Sequence, residues 1–200
     1  MKAGVLFSGG KDSALAAILL SRDYNVELNT CVFDPASEVS AVQAAAAAID
    51  LPFRRRVLGT DLLNEAVDLL LSCGYPNDAI SMVHRAAVRT LADEYAVVAD
   101  GTRRDDRVPR LERSEVDSLE AKTGCSYVRP LLGYGRTEVD RLAGRLLMVQ
   151  QGESESIGSA DYEQEIRQAI RARGNEPAHF FPSRHPQSLV IGRKGLNLKD

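Results

Sequence analysis

Short apolar runs and longer mixed stretches alternate along most of this chain. Residues 3–7, 26–32, 52–57, 96–99 and 127–129 read as short strands; 3–7 and 96–99 are apolar and read as buried, whereas 52–57 carries Arg54, Arg55 and Arg56. Between them lie stretches with helical periodicity. These run from Asp12 or Ser13 to residue 21, and over 37–49, 61–72, 78–95, 114–122 and 137–147. Ser37, Asp61, Ser114 and Thr137 stand where side-chain caps are expected. Residues 73–77 carry a glycine and a proline and read as a turn. Strand and helix signals that alternate predict an α/β fold, a doubly wound parallel sheet of about five strands.

The pattern changes near residue 150. Residues 150–159 are polar, with two glycines and three serines, and predict a linker or mobile loop. A charged helix over 160–173 follows, then a tail over 177–200 with one strand candidate at 188–191. The expected organisation is a core of residues 1–149 and a C-terminal extension of residues 150–200, with no internal repeat. Two hundred residues suit one such domain. A net charge of −3 is too small for a general polyanion-binding surface, so any RNA contact needs a local patch. Three cysteines, no signal-like start and no long apolar span predict a cytoplasmic protein without membrane association.

One segment carries most of the chemistry. Ser8-Gly9-Gly10-Lys11-Asp12-Ser13 separates the first strand from the first helix. Paired glycines allow a sharp turn and close approach of a ligand. The helix that follows directs free N–H groups and its positive end at the turn, which suits phosphate. Lys11 adds a cation, and Ser8 and Ser13 add hydroxyl donors. Asp12 would repel an anion unless a cation lies between them, so the segment points to a nucleotide phosphate chain held with Mg²⁺. The spacing excludes a Walker-type loop and a dinucleotide fingerprint. In a parallel sheet, ligands sit at the carboxyl ends of the strands. Segments 8–13, 33–35, 58–60, 100–106 and 130–135 should therefore share one edge, with Cys125 at the other.

The six residues resemble the PP-loop of the N-type ATP pyrophosphatases, a superfamily that includes NAD, GMP and asparagine synthetases and tRNA-lysidine and tRNA-thiolation synthetases. Two further elements resemble the tRNA-lysidine and thiolation branch. Asp100-Gly101-Thr102-Arg103-Arg104-Asp105-Asp106 is similar to its Gly-His-x-x-Asp-Asp element, with Thr102 in place of histidine. Arg129-Pro130-Leu131 with Arg136-Thr137-Glu138-Val139 is similar to its Arg-Pro-Leu and Lys-x-Glu element, with Arg136 in place of lysine. The likeness covers residues 3–147. Past residue 150 the chain is similar to archaeal PP-loop proteins through Tyr162-Glu163, Phe181-Pro182 and His185.

The resemblance implies an adenine nucleotide alpha hydrolase-like (HUP-type) fold that binds ATP and Mg²⁺. ATP would adenylate an acceptor oxygen on a metabolite or tRNA base, releasing pyrophosphate, and a nitrogen or sulfur nucleophile would displace AMP. Lys11, Asp12, Asp105 and Asp106 are the implied catalytic residues, with Asp12, Asp105 and Asp106 holding the metal. Ser8, Gly9, Gly10, Lys11, Asp12, Ser13, Gly101 and Arg136 would bind the nucleotide, and backbone at Leu6, Phe7, Cys31, Val32 and Phe33 would frame the adenosine. A homodimer and a separate nitrogen- or sulfur-donor protein are compatible with this reading. The alternatives are a tRNA-base thiolation enzyme, a non-catalytic ATP/AMP-binding sensor or partner subunit, and a ligase subunit fed with ammonia by a separate glutaminase.

Cysteine-based sulfur transfer is weakly supported by spacing, because Pro76 stands where a partner for Cys73 would be needed. Cys31, near the end of the second strand, could face the site. His84 reads as a core or surface residue, and His185 is the histidine best situated to fold over the pocket. Arg103, Arg104, Arg107, Arg110 and Arg113 form a local cationic stretch, largely balanced by neighbouring carboxylates.

Overall fold

A computed structural model describes residues 1–109, 111–153, 157, 162–182 and 186–195. Five parallel strands form the central sheet in the order β3-β2-β1-β4-β5. They are β1 (Lys2–Leu6), β2 (Asn25–Val32), β3 (Phe53–Val57), β4 (Val97–Ala99) and β5 (Ser126–Val128). The helices between them are α1 (Lys11–Leu20), α2 (Ser40–Ala48), α3 (Thr60–Cys73), α4 (Asn77–Ala92) and α5 (Arg113–Thr123), and α6 (Arg136–Leu146) follows β5. The remaining elements are strand β6 (Leu147–Glu153), helix α7 (Tyr162–Ala172) and strand β7 (Pro186–Arg193). β6 and β7 pair antiparallel as a separate two-stranded sheet. The doubly wound parallel architecture expected from the sequence is the one observed.

Alternation along the central strands explains why both faces are covered. Val5 and Phe7 join a core with α1, α2 and α6, whereas Leu6 between them faces α4 and Tyr95. Val97 and Ala99 likewise face the first core and Val98 the second. Strands buried on both faces carry continuous apolar runs, as these do. Helix α1 lacks a polar face because it lies between the sheet and α6 with the β6–β7 hairpin, and its alanines allow close approach.

The C-terminal extension is packed into the body. Leu147 and Val190 belong to the α1 core, and Ile166, Ile170 and Phe181 to a cluster with α3 and α4. Ile166 and Ile170 are wholly buried, contributing about 1.5–3 kcal/mol each. The segment expected as a linker from residue 150 instead continues β6 to Glu153, because Val149, Gln150 and Gln151 find partners in Val190, Leu189 and Ser188. Residues 154–156 and 158–161 of that segment lie outside the described residues, as do Arg110 and His185.

The expected side-chain caps differ from those observed. Helix α2 begins at Ser40, because the Ser37 hydroxyl donates to Glu165 Oε1 at 2.5 Å instead of capping a helix. Gly59, at φ +93°, precedes α3, so Asp61 lies inside its first turn. Glu112, in a capping box with Glu115, replaces Ser114 at the start of α5. Gly135 replaces Thr137 at the start of α6.

Candidate functional site

The 8–13 loop leaves β1 through Gly9 at φ +83°, a left-handed conformation that suits glycine. Helix α1 then starts at Lys11, with Gly10 as its N-cap and no side-chain cap. Ser13 Oγ donates to the Gly10 carbonyl at 3.1 Å, and the Ser8 N–H reaches Ser13 Oγ at 3.4 Å. Gly101, just past β4, presses against this turn. A Cβ there would lie 2.6 Å from Ser13 N and 2.7 Å from the Asp12 carbonyl carbon, so glycine is required for the approach.

Two cavities meet at the loop. The polar one, about 520 Å³, is lined by Ser8, Gly10, Lys11, Asp12 and Ser13 from the loop, with Arg103, Asp106, Arg136 and Asp140 opposite. Gln151, Gln187 and Ser188 of the hairpin complete it. The more apolar one, about 360 Å³, lies beside Leu6, Phe7, Cys31, Ile80, Gly101, Pro109 and Tyr162. Ser8, Asp12, Ser13, Asp106 and Val108 line both. Of the residues expected at a site, Gly9, Val32, Phe33 and Asp105 line neither cavity. The rest are brought together.

Charges in the polar cavity are cross-linked. Lys11 Nζ lies 3.3 Å from Asp12 Oδ1 and 3.4 Å from Asp140 Oδ1. Arg103 stands among the three expected metal carboxylates, 3.5 Å from Asp12, 3.9 Å from Asp105 and 2.5 Å from Asp106. Its guanidinium is held above its usual range, chiefly by the Asp106 hydrogen bond, against burial. Asp105 Oδ2 accepts the Arg136 N–H at 3.0 Å, which holds its carboxyl below the usual range. Among the described residues no three His, Cys, Asp or Glu side chains assemble as a metal-binding group. Asp12, Asp105 and Asp106, expected as metal ligands, each face Arg103 in this arrangement. Two buried atoms at this wall make no hydrogen bond, Asp12 Oδ1 and Arg103 Nη1. Among the described residues Asp12 Oδ1 thus meets only the Lys11 ammonium, 3.3 Å away, and has room for another cation once Lys11 turns to an anion.

The extension supplies contacts that sequence reading did not anticipate. Ser188 Oγ accepts the Lys11 N–H at 3.1 Å, and the Val190 N–H donates to the Gly9 carbonyl at 2.9 Å. Glu165 accepts the Phe33 N–H, one of the groups expected to frame adenosine, with both oxygens at 3.2 Å. Asp140 was also missed. Its position four residues after Arg136 on α6 was the available signal, since that spacing shares a helix face.

A buried network backs the apolar cavity. Asp100 Oδ2 accepts from the Tyr127 hydroxyl and lies 2.8 Å from His84 Nε2, while Oδ1 accepts the Thr102 N–H at 2.8 Å. Burial alone would raise the Asp100 carboxyl, but His84, Tyr127 and Thr102 hold it down at about 2. Burial pushes the Cys31 thiol up to about 12, so it stays protonated at neutral pH. Cys125 is buried at the far end of the sheet and Cys73 is exposed. Among the described residues no helix is long and apolar enough to cross a membrane.

This chain is 38% identical to an uncharacterized protein of Methanocaldococcus jannaschii over 195 residues, 97% of each chain. A crystal structure from M. jannaschii, described as that of a predicted subunit of tRNA methyltransferase, superposes with a TM-score of 0.89 at 38% identity, covering 98% of both chains. A glutamine-dependent NAD⁺ synthetase from Acinetobacter baumannii matches 72% of this chain and 28% of its own, at 20% identity and a TM-score of 0.45, too partial a likeness to bear on function. Residues 1–192 match the model of a family of unknown function, DUF7411, and the chain belongs to that family.

Proposed function

We propose that this protein binds ATP at the 8–13 loop and adenylates an acceptor oxygen, releasing pyrophosphate, in the manner of the PP-loop ATP pyrophosphatases. The observation that carries this reading is the pair of cavities joined at the loop. The polar one suits a triphosphate and the apolar one suits a base and sugar, and both share Ser8, Asp12 and Ser13.

In this reading the N-terminus of α1 and Lys11 receive the phosphates. Lys11, already poised between Asp12 and Asp140, exchanges those carboxylates for phosphate oxygens and stabilises charge that develops on the pyrophosphate. Arg103 contributes a second, fixed cation, and its unpartnered Nη1 is a donor available to the α-phosphate or the acceptor. Mg²⁺, when bound, would neutralise phosphate charge. Asp12 fits it as a single protein ligand, since this ion commonly takes one or two carboxylates along with phosphate oxygens and water. Asp105 and Asp106 act through Arg136 and Arg103 instead, as positioning residues. The neutral Cys31 thiol disfavours thiolation by a cysteine relay through that residue.

A second reading is a nucleotide-binding subunit of a tRNA-modifying assembly. The similar M. jannaschii structure, described as a predicted tRNA methyltransferase subunit, favours it. The occupation of the Lys11 N–H by Ser188 also favours it. Calorimetric titration with ATP and Mg²⁺ tests the shared premise. Binding that Lys11→Ala weakens at least tenfold is expected, whereas wild-type protein that takes up no ATP overturns both readings.

A further inference from the structure

A third cavity, about 310 Å³, opens between the loop after β4, the start of α5 and the end of β5. Four guanidiniums, Arg103, Arg104, Arg113 and Arg129, line it with two carboxylates, Asp106 and Glu112. Both carboxylates are already engaged. Asp106 is bound to Arg103 at 2.5 Å, and the Glu112 side chain accepts a backbone N–H at the start of α5.

The cations are less satisfied. The side chains of Arg104 and Arg129 make no ion pair with a carboxylate among the described residues. Arg129 is steadied by the Tyr127 ring, 5.5 Å from its guanidinium carbon. Arg104 lies over Gly135, where a Cβ would come 2.9 Å from its Nη2, so the glycine makes room for it. Arg113 is 94% exposed and reaches only Asp117, at 3.8 Å, so it is free to turn inward.

We propose that this cleft is a phosphate-binding subsite for the acceptor, formed by Arg104 and Arg129 and closed by Arg113. Guanidinium forks match phosphate oxygens in pairs, and four guanidiniums against two carboxylates leave an excess of positive charge that suits a dianion better than a single carboxylate. Arg103 and Asp106 form a wall shared with the polar cavity, so an acceptor anchored here presents its other end to the phosphate loop. Naming the occupant an acceptor rests on the adenylation reading, whereas the anion site itself does not. The phosphate belongs either to a polynucleotide backbone or to a phosphorylated small molecule.

The test uses the full chain and its Arg104→Gln/Arg129→Gln double variant, with inorganic phosphate and bulk tRNA as separate probes and ATP as the control. NMR shifts report phosphate and fluorescence anisotropy reports tRNA. The double variant should lose about tenfold in affinity for the probe that wild-type protein binds, while melting temperature and ATP affinity stay put. Arg104→Lys/Arg129→Lys should recover part of the loss. Loss for tRNA with a shallower salt dependence identifies a backbone phosphate. Loss for inorganic phosphate with no tRNA binding identifies a small phosphorylated acceptor. Wild-type protein that binds neither probe, or a variant that binds as wild type does, overturns the subsite. Failure of ATP to bind while anion binding persists overturns the adenylation reading alone.

Discussion

The 8–13 loop and the C-terminal hairpin meet at Lys11, and they arrive there by opposite routes. The loop is local. Strand β1, Gly9 at positive φ and the start of α1 are consecutive in sequence, and their geometry follows from residue type. The hairpin's contribution is remote, since Ser188 is separated from Lys11 by 177 positions. Local residues make a corner that can hold an anion. Distant ones cover that corner, and Ser188 takes up one of its donors. What a site can bind and how readily it is filled are thus encoded in different parts of the chain.

Four substitutions sharpen or break this contrast. The largest effect is expected from Lys11→Ala, which should lower AMP formation by about 100-fold or more with little change in melting temperature. Retained turnover in a quench-flow or steady-state assay would remove the loop from the chemistry. Gly101→Ala comes next, because its new Cβ must displace the Asp12–Ser13 backbone. A loss of about 1–3 kcal/mol in urea unfolding is expected, with weaker ATP binding. An unchanged protein would mean that the turn is not held tightly.

The third substitution probes the polar network behind the apolar cavity. The Asp100 carboxyl sits near 2 in the folded chain against an ordinary 3.8. Its contribution to stability is therefore complete above about pH 4 and is lost as pH falls from about 4 to about 2, on the order of 2 kcal/mol. Asp100→Asn should thus cost most at pH 7 and progressively less toward pH 2. An equal deficit at both ends would show that the charge is not what matters.

Ser188→Ala is expected to have the smallest effect and the most telling sign. It should reduce stability by about 1 kcal/mol and, by freeing the Lys11 N–H, raise ATP affinity by about fivefold. Weaker ATP binding would make Ser188 a ligand contact instead of a competitor.

The same contrast explains what could be read beforehand. The sheet followed from apolar runs at 3–7 and 96–99, whose alternate residues feed two cores, and from the strand pattern at 26–32. The loop at 8–13 was legible because it depends on nearby residues and strand-end geometry, whereas the contact of Gly101 with the Asp12–Ser13 backbone was not. β6 was read partly as helix and partly as linker, although Leu147, Met148, Val149 and Gln150 alternate inward and outward. Its partner lies beyond α7, and polar edge residues signal a strand only once that partner is known. Ser37 looked like a cap because Glu165, its actual partner, is equally remote. The acidic residues 12, 105 and 106 all approach Arg103, an ion pairing that their reading as metal ligands did not foretell.

The central claim is that ATP is cleaved at its α-phosphate, and the most direct measurement follows labelled ATP in parallel α- and γ-labelled reactions. Each contains purified protein, Mg²⁺, and an extract of tRNA and small molecules. The account predicts label in AMP from the first and in pyrophosphate from the second, both dependent on the extract and abolished by Lys11→Ala. Label in ADP and inorganic phosphate would contradict it.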